Sequence, residues 1–245
     1  MSLVNFYCPN LYQIGQTATQ IFDFAKPLGH NENIILSNIT KLQEKLYRKK
    51  VLMICGGGSA IDISKEILGQ YDTIMTMNHF FYHETLKDYP VDICMLCPEV
   101  NLDEFTKKYL SKHKPLVGFE YHGKWSNDPS IVNNFYDNDN KFFMHTKIYS
   151  ILGYGVRMII MAATLESKSI DFIGMDGAKA IIKKNHAFQS GKGTLPGSVR
   201  SNYDEVFQAQ YDEFWKYYLE NFKTPVYNLA EDDNPYHEKI KNAFK

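Results

Sequence analysis

From Val51 onward, short apolar runs alternate with longer stretches that mix apolar and charged residues. The runs are VLMIC (51–55), DTIMTM (72–77), VDICML (91–96), PLVGF (115–119), KFFMH (141–145), SIDFIG (169–174) and TPVYNL (224–229). They lack the strict apolar–polar alternation of a strand with one wet face, so each reads as a strand covered on both sides. The stretches between them predict helices near 59–68, 79–87, 101–112, 153–167 and 203–222. Strands that alternate with helices predict an α/β fold, a mostly parallel sheet with helices on both faces. That arrangement is Rossmann-like. The chain shows no internal repeat.

Upstream the pattern differs. Residues 1–50 read as a helical N-terminal accessory segment preceding the main domain at 51–245. TATQIFDFA (17–25) and SNITKLQEKLYRKK (37–50) are its two helices, the second opening at Ser37 or Asn38 as candidate cap. Two stretches carry no packing period. EYHGKWSNDPSIVNNFYDNDN (120–140) is rich in Asn, Asp and aromatics, and 174–202 is rich in Gly, Lys and Pro. The second starts at the carboxyl end of an expected strand, where open α/β sheets place ligands, so residues 177–202 are read as a lid loop.

Composition narrows the function classes. With 27 basic and 28 acidic residues the net charge is −1, and no basic field points to nucleic acid. The 17 Tyr and 16 Phe suit either ring stacking on a ligand or an aromatic core. No basic-then-apolar leader opens the chain, and no window approaches ~18 uninterrupted apolar residues. A cytoplasmic protein without a transmembrane segment is expected, and peripheral contact with the inner membrane is compatible with this. Four cysteines (Cys8, Cys55, Cys94, Cys97) are too scattered for a disulfide scaffold. Cys94 and Cys97 form a C-x-x-C without a second pair, so buried thiols are expected there rather than zinc.

The first strand runs directly into Gly56-Gly57-Gly58-Ser59. The G-x-G-x-x-G dinucleotide pattern is incomplete, and Asn78 rather than an acidic residue ends the second strand. No G-K-[ST] follows, which excludes a P-loop. Glycines at this turn let a backbone approach an anion, and Ser59 could cap a helix pointing at it. A tight structural turn is the competing reading.

Three segments in order, ICGGGSAIDIS, TMNHFFYHETLKDYPVDICMLCPEV and GYGVRMIIMAATLESKSIDFIGMDG, resemble the bacterial lipooligosaccharide sialyltransferases and the motility-associated glycosyltransferase-like proteins. The likeness covers residues ~51–230 in a strand-by-strand sense. It implies a CMP-linked or related nucleotide-sugar donor and a surface-glycan acceptor. It aligns Gly56, Gly57, Gly58, Ser59 and Asn78 with nucleotide-contacting positions. It also aligns Gly153, Tyr154 and Gly155 with the turn opening the long helix, Asp176 with a G-x-D motif, and His186 with an aromatic position that meets phosphate. Cys97 and Gly57 stand where the family has asparagine. The family's catalytic histidine is absent from GSVRSNYDE (197–205), where Arg200 is the basic residue.

Within that frame, His186 is the candidate catalytic group, as base toward an acceptor hydroxyl or as donor to the leaving phosphate. Lys183, Lys184 and Lys192 would bind the same phosphate, so no metal or other cofactor is required. Asp137 and Asp139 lie in a polar loop-like stretch rather than in a metal-chelating pair. Asp176 would bind a hydroxyl or cap a turn. Arg157, Tyr149 and Tyr154 would meet phosphate, solvent or core. His79 and His83 have metal-ligand spacing on a helix, but no third ligand is evident. Two further readings stand beside glycosyl transfer. One is a magnesium-dependent pyrophosphokinase of the pterin type. The other is a non-catalytic nucleotide- or sugar-phosphate-binding protein. Self-association is compatible with all three.

Overall fold

The computed structural model describes residues 32–96, 100, 103–120, 140–144, 153–176, 186–188, 203–230, 240 and 242–244. All seven expected strands are present among them, as β1 (Lys50–Ile54), β2 (Thr73–Met77), β3 (Ile93–Met95), β4 (Leu116–Glu120), β5 (Lys141–Met144), β6 (Ser169–Ile173) and β7 (Val226–Asn228). They form one sheet in the order β5-β4-β3-β2-β1-β6-β7, and every adjacent pair is parallel. The strands are buried nearly end to end, with Leu52, Ile54, Met75, Ile93, Val117 and Phe172 all inaccessible. Burial on both faces is why their sequences carry no alternation.

The described helices are α1 (Glu32–Leu46), α2 (Lys65–Leu68), α3 (Glu104–His113), α4 (Tyr154–Thr164) and α5 (Tyr203–Asn221). From β1 to β5 the chain steps in one direction across the sheet, then returns to place β6 on the other side of β1. Right-handed crossovers then put α2 and α3 on one face and α4 and α5 on the other. On the second face, α4 packs over β1, β2 and β6, and Trp215 of α5 stacks on Phe172. The reversal makes β1 and β6 the topological switch point, and the crevice beyond their carboxyl ends is where such sheets take ligands.

Helix α1 closes the opposite edge. Asn38 Nδ2 donates to Lys141 O at 2.5 Å, Lys45 Nζ pairs with Asp92 at 2.7 Å, and Thr73 Oγ1 donates to Lys45 O. Each partner lies at or just before the start of a strand, so α1 runs along the amino edge from β5 to β2. Its 15 residues span about 22 Å, enough to cross four strand spacings of ~4.8 Å. Ser37 and Asn38 therefore lie inside a helix that begins at Glu32, not at its cap.

Two expected helices are replaced by tighter turns. The 59–68 stretch breaks into a 3-10 turn at Gly58–Ala60 and the single-turn α2, which restarts where Ser64 Oγ accepts from Ile67 N. The 79–87 stretch becomes two 3-10 turns, Phe80–Tyr82 and Leu86–Asp88. The physical reason is His83. Its Nδ1 accepts from Thr85 N at 3.1 Å and Leu86 N at 3.4 Å, taking amides that an α-helix would use. No helix among the described residues is long and apolar enough to cross a membrane.

Candidate functional site

At the carboxyl ends of β1 and β6, two backbone bonds continue the strand pairing past the sheet. Cys55 N donates to Ile173 O and Gly57 N to Gly174 O, both at 2.8 Å. The side-chain partner of this join is Asp176. Its Oδ2 accepts from Ser59 N at 3.0 Å, its Oδ1 accepts from Ser59 Oγ, and Ser59 Oγ also accepts from Gly174 N at 2.9 Å. Asp176 is buried, and the three groups close a ring of hydrogen bonds across the switch point. Ser59 thus sits within the 3-10 turn rather than capping a long helix, and its amide faces the chain's own carboxylate.

The glycines have steric partners here. A Cβ at Gly57 would fall 2.5 Å from Gly174 O and 2.6 Å from Asp176 Oδ2. A Cβ at Gly56 would fall 2.4 Å from Cε1 and 2.5 Å from Nε2 of His186. The His186 ring therefore lies directly over Gly56, and Ala187 N donates to Gly56 O at 2.8 Å to hold it there. Phe188 N donates to His186 Nδ1 at 3.1 Å. An amide can only donate, so Nδ1 is the acceptor and the neutral ring carries its proton on Nε2. Gly58 is buried inside the same turn.

Asn78 leaves β2 beside this turn, since Ile54, the last residue of β1, pairs with Thr76, and β2 ends one residue later at Met77. Its backbone is left-handed (φ 51°), a conformation Asn tolerates, and its amide donates to Met95 O at 2.8 Å. Gly56, Asn78, His79 and His186 remain partly exposed, so they form the open side of the switch point. His83 does not join them. It is 2% exposed, with Nε2 against Ala60 O at 3.2 Å and Ile61 O at 3.1 Å, and its ring edge meets Phe188. It ties the two turned segments together as a neutral core residue.

On the far face, Gly155 lets α4 approach the strand ends. A Cβ there would lie 2.9 Å from Met175 Sδ and 3.1 Å from Cys55 Sγ. Tyr154 is buried with its hydroxyl 3.4 Å from Leu96 O, which is the core role rather than an open ligand contact. Arg157 is buried too and donates to Gly153 O, so it is not a solvated surface residue. Gly153 itself takes φ 71° with open space where a Cβ would go. Burial, and then the nearby Asp176 charge, push the Cys55 thiol well above its ordinary range, and burial does the same to Cys94. Both are poor nucleophiles. Among the described residues no three His, Cys, Asp or Glu side chains gather as a metal site. Residues 1–31, Tyr149, Lys183, Lys184, Lys192, Arg200, Cys97, the Asp137–Asp139 stretch and the rest of 177–202 apart from 186–188 lie outside the described residues.

Burial holds the His83 pKa below its ordinary value, against opposing contributions from the two backbone carbonyls. In the unfolded chain it takes a proton near pH 6.5, whereas the folded chain does so only at lower pH. The unfolded state then binds more protons, so stability is complete above about pH 6.5 and falls as pH drops toward the folded value. The slope for one proton is at most about 1.4 kcal/mol per pH unit. Urea midpoints measured downward from neutral pH should show this loss, and His83→Gln should flatten it.

No protein-family model matches the chain, and no curated protein matches it in sequence.

Proposed function

We propose that the chain binds a nucleotide-sugar donor at the switch point and transfers its sugar to a glycan, with a CMP-linked donor favoured. The observation that carries this reading is the position of His186. Its ring is fixed over Gly56 at the carboxyl end of β1, with the proton on Nε2. When the bond from the anomeric carbon to phosphate breaks, its electron pair goes to a phosphate oxygen. A preset N–H beside that oxygen stabilises the developing charge. The tautomer therefore favours the donor role of His186 over the base role. In sequence, Lys183 and Lys184 precede it closely. Asn78 and Gly56 stand on the partly exposed side where the nucleotide would lie, while Ser59 and Asp176 act as the latch beneath it.

That latch also favours a second reading, a non-catalytic binding protein on the same scaffold. The Ser59 amide and hydroxyl, which a phosphate would otherwise use, are already committed to Asp176.

The test is calorimetric titration with CMP, UMP, GMP and ATP, with magnesium and with chelator. CMP should bind without metal, and His186→Ala should weaken it about tenfold, the loss of one charge-assisted hydrogen bond. Unchanged affinity in the variant, or no nucleotide binding, would contradict the reading. Magnesium-dependent triphosphate binding would instead support pyrophosphokinase chemistry. CMP binding without turnover of a CMP-sugar would support the binding protein.

A further inference from the structure

Beside Asn78 the carboxyl edge carries an aromatic surface that the nucleotide site does not use. Tyr82 and Phe105 are 41% and 44% exposed, and they are near-parallel, with ring centroids 6.1 Å apart and planes 17° apart. Tyr82 also lies 6.4 Å from His79, with the ring planes at 22°. At these separations parallel rings are slid past one another rather than face to face, so part of each face stays open. The rings form a shallow stair running outward from the switch point.

The stair is held in place. Tyr82 Oη donates to Asp103 Oδ2 at 2.7 Å, and Asp103 Oδ1 accepts from Thr106 N at 2.8 Å as the N-cap of α3. One carboxylate therefore anchors both the Tyr82 ring and the helix that carries Phe105. Beneath them Phe80, Phe81 and Tyr109 pack edge to face in the core. Two large apolar rings kept exposed on a fixed support are a preorganised contact surface, not loose packing.

We propose that Tyr82 and Phe105 form a stacking subsite for an uncharged sugar ring of the acceptor glycan. Calling the sugar an acceptor rests on the transferase reading above. The chemistry selects the occupant. The apolar face of a hexose matches an aromatic face, and its hydroxyls match the remaining acceptor positions of the Asp103 carboxylate beside Tyr82. Bonds from Thr106 N and Tyr82 hold the Asp103 pKa below its ordinary value. A charged carboxylate beside the stair disfavours phosphate and other anions, which separates this surface from the nucleotide site. Continuity through His79 and Asn78 places a stacked sugar next to the donor.

The test uses the full chain with lactose, maltose and cellobiose as probes, followed by amide NMR shifts. At least one disaccharide should bind saturably at millimolar concentration, shifting the Tyr82 and Phe105 amides. Tyr82→Ala and Phe105→Ala should each weaken it about tenfold, while Tyr82→Phe retains most of the affinity. Thermal melting of the variants should stay close to that of the parent, because both rings are exposed. CMP affinity should be the same in all of them. If no disaccharide binds, or the alanine variants bind equally well, the subsite is overturned. If Tyr82→Ala weakens CMP instead, the stair holds a base and the proposal falls. Saccharide binding that depends on these rings, in a chain that binds no nucleotide, would keep the subsite and remove the transferase reading.

Discussion

Gly174→Ala should destabilise the protein by about 3–5 kcal/mol, the range of severe overpacking combined with backbone strain. Gly174 takes φ 77°, which costs an alanine about 1–2 kcal/mol by itself. The larger part is steric. The new Cβ would lie 2.2 Å from Cys55 O and 3.0 Å from the Ala60 Cβ. Neither neighbour can withdraw, because the bonds from Cys55 N to Ile173 O and from Gly57 N to Gly174 O lock the two strand ends together. Gly153→Ala is the control. It has a similar φ of 71° but no heavy atom within 4 Å of the added carbon. It should cost only the backbone term, about 1–3 kcal/mol for an alanine at φ 71° and ψ −166°, a region that glycine alone adopts readily. Urea denaturation of both variants separates strain from collision.

The second large effect is expected at Asp176. Removing its buried carboxylate in Asp176→Ala leaves the half-buried Ser59 N and Ser59 Oγ without their partner. A hydrogen bond to a charged group contributes ~1.5–3 kcal/mol, and two such bonds are lost, so about 2–4 kcal/mol is expected. Asp176→Asn retains the shape and one acceptor and should cost less. Ser59→Ala removes the hydroxyl that bridges Asp176 and Gly174 N. In a double-mutant cycle the two losses should not add, because both variants break the same ring. Additive values would mean that the ring does not act as a unit.

The strands were legible because burial on both faces writes itself into local sequence. VLMIC, DTIMTM and SIDFIG each mark a strand to within a residue or two. The glycine turn was legible as a special backbone, but its occupants were not. The groups that fill the space over Gly56 and Gly57 are His186 and Asp176, more than a hundred residues away, and no local pattern announces such a contact. His83 shows the opposite failure. Its spacing from His79 fits one helix face, yet the ring turns inward and dissolves the helix by taking its amides. Arg157 and Tyr154 carried polar atoms that looked free for ligands, and helix packing buried both. Tyr82 and Phe105 went unnoticed because exposed aromatics gain meaning only once the fold sets them side by side.

The central claim is that ligand meets the Gly56, Asn78 and His186 side of the switch point, above a closed Ser59–Asp176 latch. Amide NMR during titration with CMP in the presence of chelator tests it most directly. The amides of Gly56, Asn78 and Ala187 should shift together and saturate, while Ser59, still bonded to Asp176, moves little. A Ser59 shift exceeding theirs would mean that ligand displaces the carboxylate. Shifts confined to other strands, or none at all, would make the glycine turn a structural join and nothing more.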